Sequence, residues 1–258
     1  MKTIAIMNVK GGVGKTVTTV NMATILAEFY GKRVLVIDAD PQGDTSAFFD
    51  APKDEGNLFA MMTGLCDYYP DAIHLTDYHN VDILPSSTDL FDLDLSTVGM
   101  KNYAIGTIQS LRDAAEEDDA YDVIIVDCPP SFTASSIAAL YAADSVIIPV
   151  KLDAFSVRGM EFLLAQVREL HRINGKCKVD GCLVTQWHNV EVIRQAESML
   201  RDKGVPVFST HIRRSDKVDE STWYCEPLAV YSKYSSAGVD YRCFVSEWIQ
   251  MGGLNDGV

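Results

Sequence analysis

Short apolar runs alternate along this chain with longer segments of mixed periodicity. Val123-Ile124-Ile125-Val126 is apolar throughout, the pattern of a central strand covered on both faces. Runs of this kind predict strands at Thr3–Met7, Val34–Asp38, Val81–Pro85, Val123–Asp127, Ser145–Val150, Gly181–Thr185, Val207–His211 and Leu228–Tyr231. Between them, Lys15–Phe29, Ser156–Ile173 and Val190–Lys203 read as helices. Asp50–Tyr78 has weak periodicity and several aromatics, and reads as a loop with short helices. Strand–helix alternation predicts an α/β fold, a doubly wound, mostly parallel sheet with helices on both faces. No repeat or low-complexity linker is visible, so residues 1–258 are expected to form one domain. Ligands of such sheets sit at the carboxyl ends of the strands.

With 47% hydrophobic residues in 258, the chain can bury a substantial core. No apolar run approaches the ~20 residues that span a bilayer, and Met1–Val9 lacks a signal peptide's apolar region and cleavage site. A cytoplasmic location is expected. The six cysteines form no C-x-x-C pair and are expected to be reduced packing residues. The net charge of −14 is uneven: residues 1–149 hold 8 Lys+Arg against 22 Asp+Glu, while residues 150–258 hold 14 of each. An evenly acidic protein would repel nucleic acid, but the neutral half leaves room for a local basic patch.

The most informative segment is Lys10-Gly11-Gly12-Val13-Gly14-Lys15-Thr16, directly after the first predicted strand. The pattern G-x-x-x-x-G-K-[ST] fails only at its first glycine, where Val9 stands. Its physics survives: Gly11, Gly12 and Gly14 let the backbone turn its N–H groups toward an anion. Lys15 adds a charge for the β- and γ-phosphates, and Thr16 a hydroxyl for Mg²⁺. The helix starting there aims its positive end at the phosphates. ATP and Mg²⁺ are the cofactors expected. Further on, an aspartate ends the apolar strand Val123–Asp127. Burying it without a partner is costly, and a hydrated Mg²⁺ beside Thr16 supplies one.

Lys10, ahead of the glycines, makes this segment resemble the deviant Walker A motif of the ParA/MinD family of P-loop ATPases. The resemblance implies an ATP-sandwiched homodimer in which Lys10 crosses to the other subunit's nucleotide. It continues through Val17–Ala23, where Val17 replaces a usual Thr or Ser and leaves its backbone N–H to serve the α-phosphate. Val36-Ile37-Asp38-Ala39-Asp40-Pro41-Gln42-Gly43 resembles switch I. By that match Asp40 positions the attacking water and Asp38 lies nearer the metal. Tyr121–Pro130 looks like Walker B followed by switch II, with Asp127 the metal-site acid. Ala142–Val150 and Phe155–Met160 also match the partitioning ATPases. Ile212-Arg213-Arg214 stands where the family often has Ile-Pro-Arg beside the adenine, so Arg213 and Gln186 are candidate base contacts.

The ParA branch implies nonspecific binding of double-stranded DNA by the ATP dimer, reset by a ParB-like centromere-binding protein, and hence a nucleoid-associated location. Arg194, Arg201, Lys203, Arg213, Arg214, Lys217 and Arg242 are the candidate phosphate contacts, with Glu191, Glu197, Asp202, Asp216 and Asp219 interspersed. The MinD branch ends in a basic membrane helix, whereas Phe244–Gly253 carries no Lys or Arg and reads as a core-packed helix. Two alternatives stay open: a MinD-like positioning ATPase on another surface, and an ATP-dependent biosynthetic ligase of the same fold.

Overall fold

Every residue of the strands Val34–Asp38, Val123–Asp127 and Ser145–Val150 is buried, as coverage on both faces demands. The computed structural model describes residues 1–52, 56–95, 101–153 and 156–254. In chain order the elements are β1 (Lys2–Ile6), α1 (Lys15–Tyr30), β2 (Val34–Asp38), α2 (Asp44–Phe48), α3 (Leu58–Thr63), β3 (His74–Leu75) and β4 (Val81–Leu84). There follow α4 (Leu90–Leu95), α5 (Lys101–Glu117), β5 (Val123–Asp127), α6 (Ala134–Ala142), β6 (Ser145–Val150) and α7 (Ser156–Asn174). The last are β7 (Lys178–Trp187), α8 (Glu191–Asp202), β8 (Val207–Arg213), α9 (Asp216–Trp223), α10 (Leu228–Tyr231) and α11 (Ser236–Gln250). Phe155, part of one family match, lies outside the described residues.

The strands form one sheet in the order β3-β4-β2-β5-β1-β6-β7-β8, all pairs parallel except β3 with β4. Alternation within the apolar strands sends their side chains to two separate cores. Ala5, Leu35, Ile37, Ile124 and Val126 join Ile108 of α5, Ala138 of α6 and Leu163 of α7 on one face. Ile4, Ile6, Val34, Val36, Val123 and Ile125 meet Met22 and Leu26 of α1 and Phe244 and Trp248 of α11 on the other. The doubly wound sheet predicted from the apolar runs is therefore the fold observed.

Leu228–Tyr231 is a correction: it is a single helical turn and not a strand. Pro227 caps it, and the N–H groups of Val230 and Tyr231 return to the Pro227 carbonyl. Asn21 Oδ1 takes the Leu228 N–H at 2.8 Å, so three of the four N–H groups of this segment are spent away from any sheet partner. Asp50–Tyr78 holds short helical elements as expected, and also β3, a two-residue edge strand that the pattern did not announce. Phe244, Val245 and Trp248 are buried, so α11 is core-packed as read from the sequence. Among the described residues no helix is long and apolar enough to cross a membrane. All six cysteines are free: Cys128, Cys177 and Cys182 are buried and Cys66 is partly buried against the core, whereas Cys225 and Cys243 are exposed.

Candidate functional site

The glycine-rich loop links β1 to α1 at the carboxyl edge of the sheet. Gly12 and Gly14 have φ of 67° and 87°, the left-handed region where a side chain is strained. Gly14 is the N-cap of α1, and no side chain caps that end, so its positive pole is open. Two of the loop's carbonyls are tied down by β7. Thr185 Oγ1 donates to the Val13 carbonyl and Gln186 Nε2 to the Gly12 carbonyl, each at 2.8 Å. Gln186, expected at the base, thus spends its amide on the loop, from a backbone with φ of 50°.

Around this loop lies a cavity of about 590 Å³ whose walls include Lys15, Thr16, Val17, Asp40 and Asp44. A neighbouring cavity of about 390 Å³ shares Gly12, Gly14, Val17 and Thr222 with it and extends to Gln186, Arg213 and Arg214. Together they offer a cradle around Lys15 and the glycine loop and an adjoining chamber beside Gln186 and Arg213. Lys15 is nearly buried, which strengthens its charge toward an anion. Arg213 lines the chamber wall, but its guanidinium is held at 2.7 and 2.9 Å by the carboxylate of Asp240.

Parallel pairing of β2 with β5 puts Asp38 directly beside Asp127 at the strand ends, both almost wholly buried. Asp127 Oδ2 accepts the hydroxyl of Thr16 at 2.7 Å and that of Thr45 at 2.6 Å. Its Oδ1 is buried with no donor. That orphaned acceptor beside the Thr16 hydroxyl fits a hydrated divalent cation. Among the described residues no cluster of three His, Cys, Asp or Glu could enclose a metal, which suits an ion that keeps most of its waters. Asp38 Oδ1 accepts the Asp40 N–H, and its Oδ2 the Ser46 N–H and hydroxyl, so that beside Asp127 it also ties down the segment that follows β2.

Asp40 lines the cradle with one oxygen accepting the Gln42 N–H at 3.0 Å, and Ser86 Oγ clamps its carbonyl at 2.6 Å. Burial raises its carboxyl above the usual range, opposed by the Gln42 N–H and Lys15. Burial, then the charge of Asp127, pushes Asp38 up to about 8, while burial pushes Asp127 to about 6 against the Thr45 and Thr16 hydroxyls. These raised values mean that the folded, cation-free chain holds protons that the unfolded chain has lost. Its stability should therefore increase as pH falls from 8 to 6, by about 1.4 kcal/mol per pH unit for each extra proton held. Thermal unfolding in a chelator at the two pH values measures this; Asp38→Asn should flatten the dependence, and an unchanged slope in that variant would contradict it.

Lys10 pairs with Asp153 on the segment after β6, both side chains more than a third exposed. Of the candidate DNA contacts, Arg194 pairs with Glu191 at 2.6 Å, Arg201 with Glu197 at 2.7 Å, Lys217 with Glu220 at 2.5 Å, and Lys203 with Glu161. Arg213 is held by Asp240, and Arg242 donates to the Lys233 carbonyl. Arg214 and Arg242 are the candidates whose guanidinium meets no acid among the described residues. Most of these candidates thus face an acid in the free chain, and for Arg194, Arg201 and Lys217 that acid lies three or four residues away in sequence. Thr45, Ser46, Thr185 and Asp153 are site residues that sequence reasoning missed.

A family model described as an AAA domain matches residues 1–179. The sporulation initiation inhibitor protein Soj of Bacillus subtilis is 33% identical over 254 residues, 95% of this chain and 97% of that protein. The chromosome-partitioning ATPase Soj of Thermus thermophilus is 32% identical over 251 residues, 96% of this chain and 95% of that protein. Among solved structures, cobyrinic acid a,c-diamide synthase from Mycobacterium smegmatis with bound ADP and magnesium is 25% identical with a TM-score of 0.81. It covers 98% of this chain and is itself covered over 96%.

Proposed function

We propose that this chain, which belongs to the ParA/MinD family of P-loop ATPases, is a single-domain switch that binds ATP with Mg²⁺, pairs as a nucleotide-sandwiched dimer and slowly hydrolyses the nucleotide. Its task on this reading is the partitioning or positioning of a cargo in the cytoplasm, as the name of its Thermus thermophilus relative suggests for partitioning. The observation that carries the reading is the convergence of Lys15, Thr16 and Asp40 on one cavity with Asp127 behind it.

The loop's backbone N–H groups and Lys15 bind the phosphates, and α1 adds its positive end. Thr16 and Asp127 would hold Mg²⁺, which when bound neutralises charge on the β- and γ-phosphates. Asp40 orients a water for attack on the γ-phosphorus and accepts a proton from it as the new P–O bond forms and the bond to the β-phosphate oxygen breaks, releasing ADP. Lys10 of the second copy stabilises the charge that develops on the transferred phosphoryl group. The product state lacks the γ-phosphate that Lys10 reads across the interface, so the dimer separates.

Double-stranded DNA is the surface expected for the ATP dimer, with a ParB-like protein as the resetting partner. Joining two copies doubles the phosphate contacts and raises affinity steeply. The ion pairs on Arg194, Arg201, Lys203, Arg213 and Lys217 favour a second reading, a positioning ATPase acting on another surface. The likeness to a cobyrinic acid a,c-diamide synthase keeps a biosynthetic role as a third. Random-sequence DNA retention measured across a salt series, with ATP, ADP or no nucleotide, separates them. Retention with ATP alone, falling as salt rises and weakened by Arg214→Ala, is the result expected. No retention at low salt would remove DNA as the surface. ATP turnover that begins only when a small acceptor molecule is supplied would favour the biosynthetic role.

A further inference from the structure

We infer that Thr45 is a positioning residue for Asp127, and that its hydroxyl sets the affinity of the site for the divalent cation. The inference rests on the ATP–Mg²⁺ reading above and deepens it. Thr45 is fully buried in the first turn of α2, immediately after the switch segment. A helical threonine commonly satisfies its hydroxyl on a carbonyl one turn back, as Thr24 does on Val20 at 2.8 Å. Thr45 instead donates across the sheet to Asp127, 82 residues away, at 2.6 Å.

The consequence lies in which oxygen receives it. Thr45 and Thr16 both donate to Oδ2, and Oδ1 is left buried without a donor. Two protons on one oxygen fix the rotation of the carboxyl group and reserve the other oxygen for a ligand. Without Thr45, the Thr16 proton can move to either oxygen and the carboxylate can turn. Thr16 then competes with the cation for the acceptor that the cation's shell needs. Outer-shell donors of this kind carry much of a site's metal affinity, since they hold the inner groups in place. The neighbouring Ser46 binds Asp38 in the same way, so the first turn of α2 grips both strand-end carboxylates at once. The switch segment and the cation site are thereby tied through two adjacent side chains.

Mn²⁺ binding to the full chain in saturating ADP, read as free Mn²⁺ by electron paramagnetic resonance, tests this without turnover. Thr45→Val keeps the branched shape and removes the hydroxyl, and should weaken Mn²⁺ binding by about tenfold to a hundredfold. Thr45→Ser keeps the hydroxyl and should stay within about threefold of wild type on the same reasoning. ADP affinity in a chelator should be equal in all three proteins, which also reports that each has folded. Wild-type Mn²⁺ affinity in Thr45→Val would overturn the assignment, as would equal losses in Val and Ser variants. A wild-type protein that binds ADP but gains no Mn²⁺ affinity from it would overturn the ATP–Mg²⁺ reading itself, and Thr45 with it.

Discussion

Asp40→Ala should reduce ATP turnover by about 10²–10⁴-fold, the range a positioned general base contributes, while ATP still binds and still drives dimerisation. The asymmetry follows from where the side chain stands. On the proposed reading the phosphates would be gripped by Lys15, by the backbone of the glycine loop and by the open end of α1, none of which touches Asp40 through a hydrogen bond. Asp40 is held from the other side, by the Gln42 N–H on its carboxylate and the Ser86 hydroxyl on its carbonyl. Removing its carboxylate leaves the cradle standing and takes away the group that orders the attacking water. Single-turnover hydrolysis, read beside equilibrium binding of a fluorescent ATP analogue, separates the two effects. Hydrolysis at the wild-type rate would show that Asp40 has no such role.

Lys10→Ala should weaken ATP-dependent dimerisation by at least about 30-fold, taking ~2 kcal/mol as the low end for truncating one partner of an interfacial charge pair. ATP binding to one subunit should change little, because Lys15 remains. In the single chain Lys10 rests on Asp153, with both side chains over a third exposed. An exposed pair of this kind is worth about 0–1 kcal/mol, so the lysine can exchange Asp153 for a triphosphate at small cost. Asp153→Ala should accordingly dimerise at least as well as wild type. A Lys10→Ala protein that dimerises undiminished with ATP would rule out the crossing role.

What could be read ahead of the structure was whatever is written locally. The central strands are legible because each is an unbroken apolar run, and the phosphate loop because its chemistry is seven consecutive residues. Leu228–Tyr231 is four apolar residues, too short for period two to be told from one helical turn; Pro227 and the distant Asn21 decide it. The two-residue β3 lies below any window in which periodicity can register. Thr185 and Asp153 act on partners 172 and 143 residues away, and nothing around either residue announces that contact. The same limit explains Asp38. Its place at a strand end was visible, but its pairing with Asp127 and its capture by Ser46 depend on the strand order and on where α2 lies. For Arg194 and Arg201 the difficulty was different: Glu191 and Glu197 were in plain view, and only the side-chain geometry shows that they pair.

Sedimentation velocity of the full chain with Mg²⁺ and, in parallel runs, no nucleotide, ADP or a non-hydrolysable ATP analogue tests the sandwich dimer most directly. A monomer without nucleotide or with ADP, and a dimer with the ATP analogue that is lost in Lys10→Ala, is the result predicted. A chain that binds the analogue yet stays monomeric at high protein concentration, or one that dimerises equally in all three conditions, would contradict it.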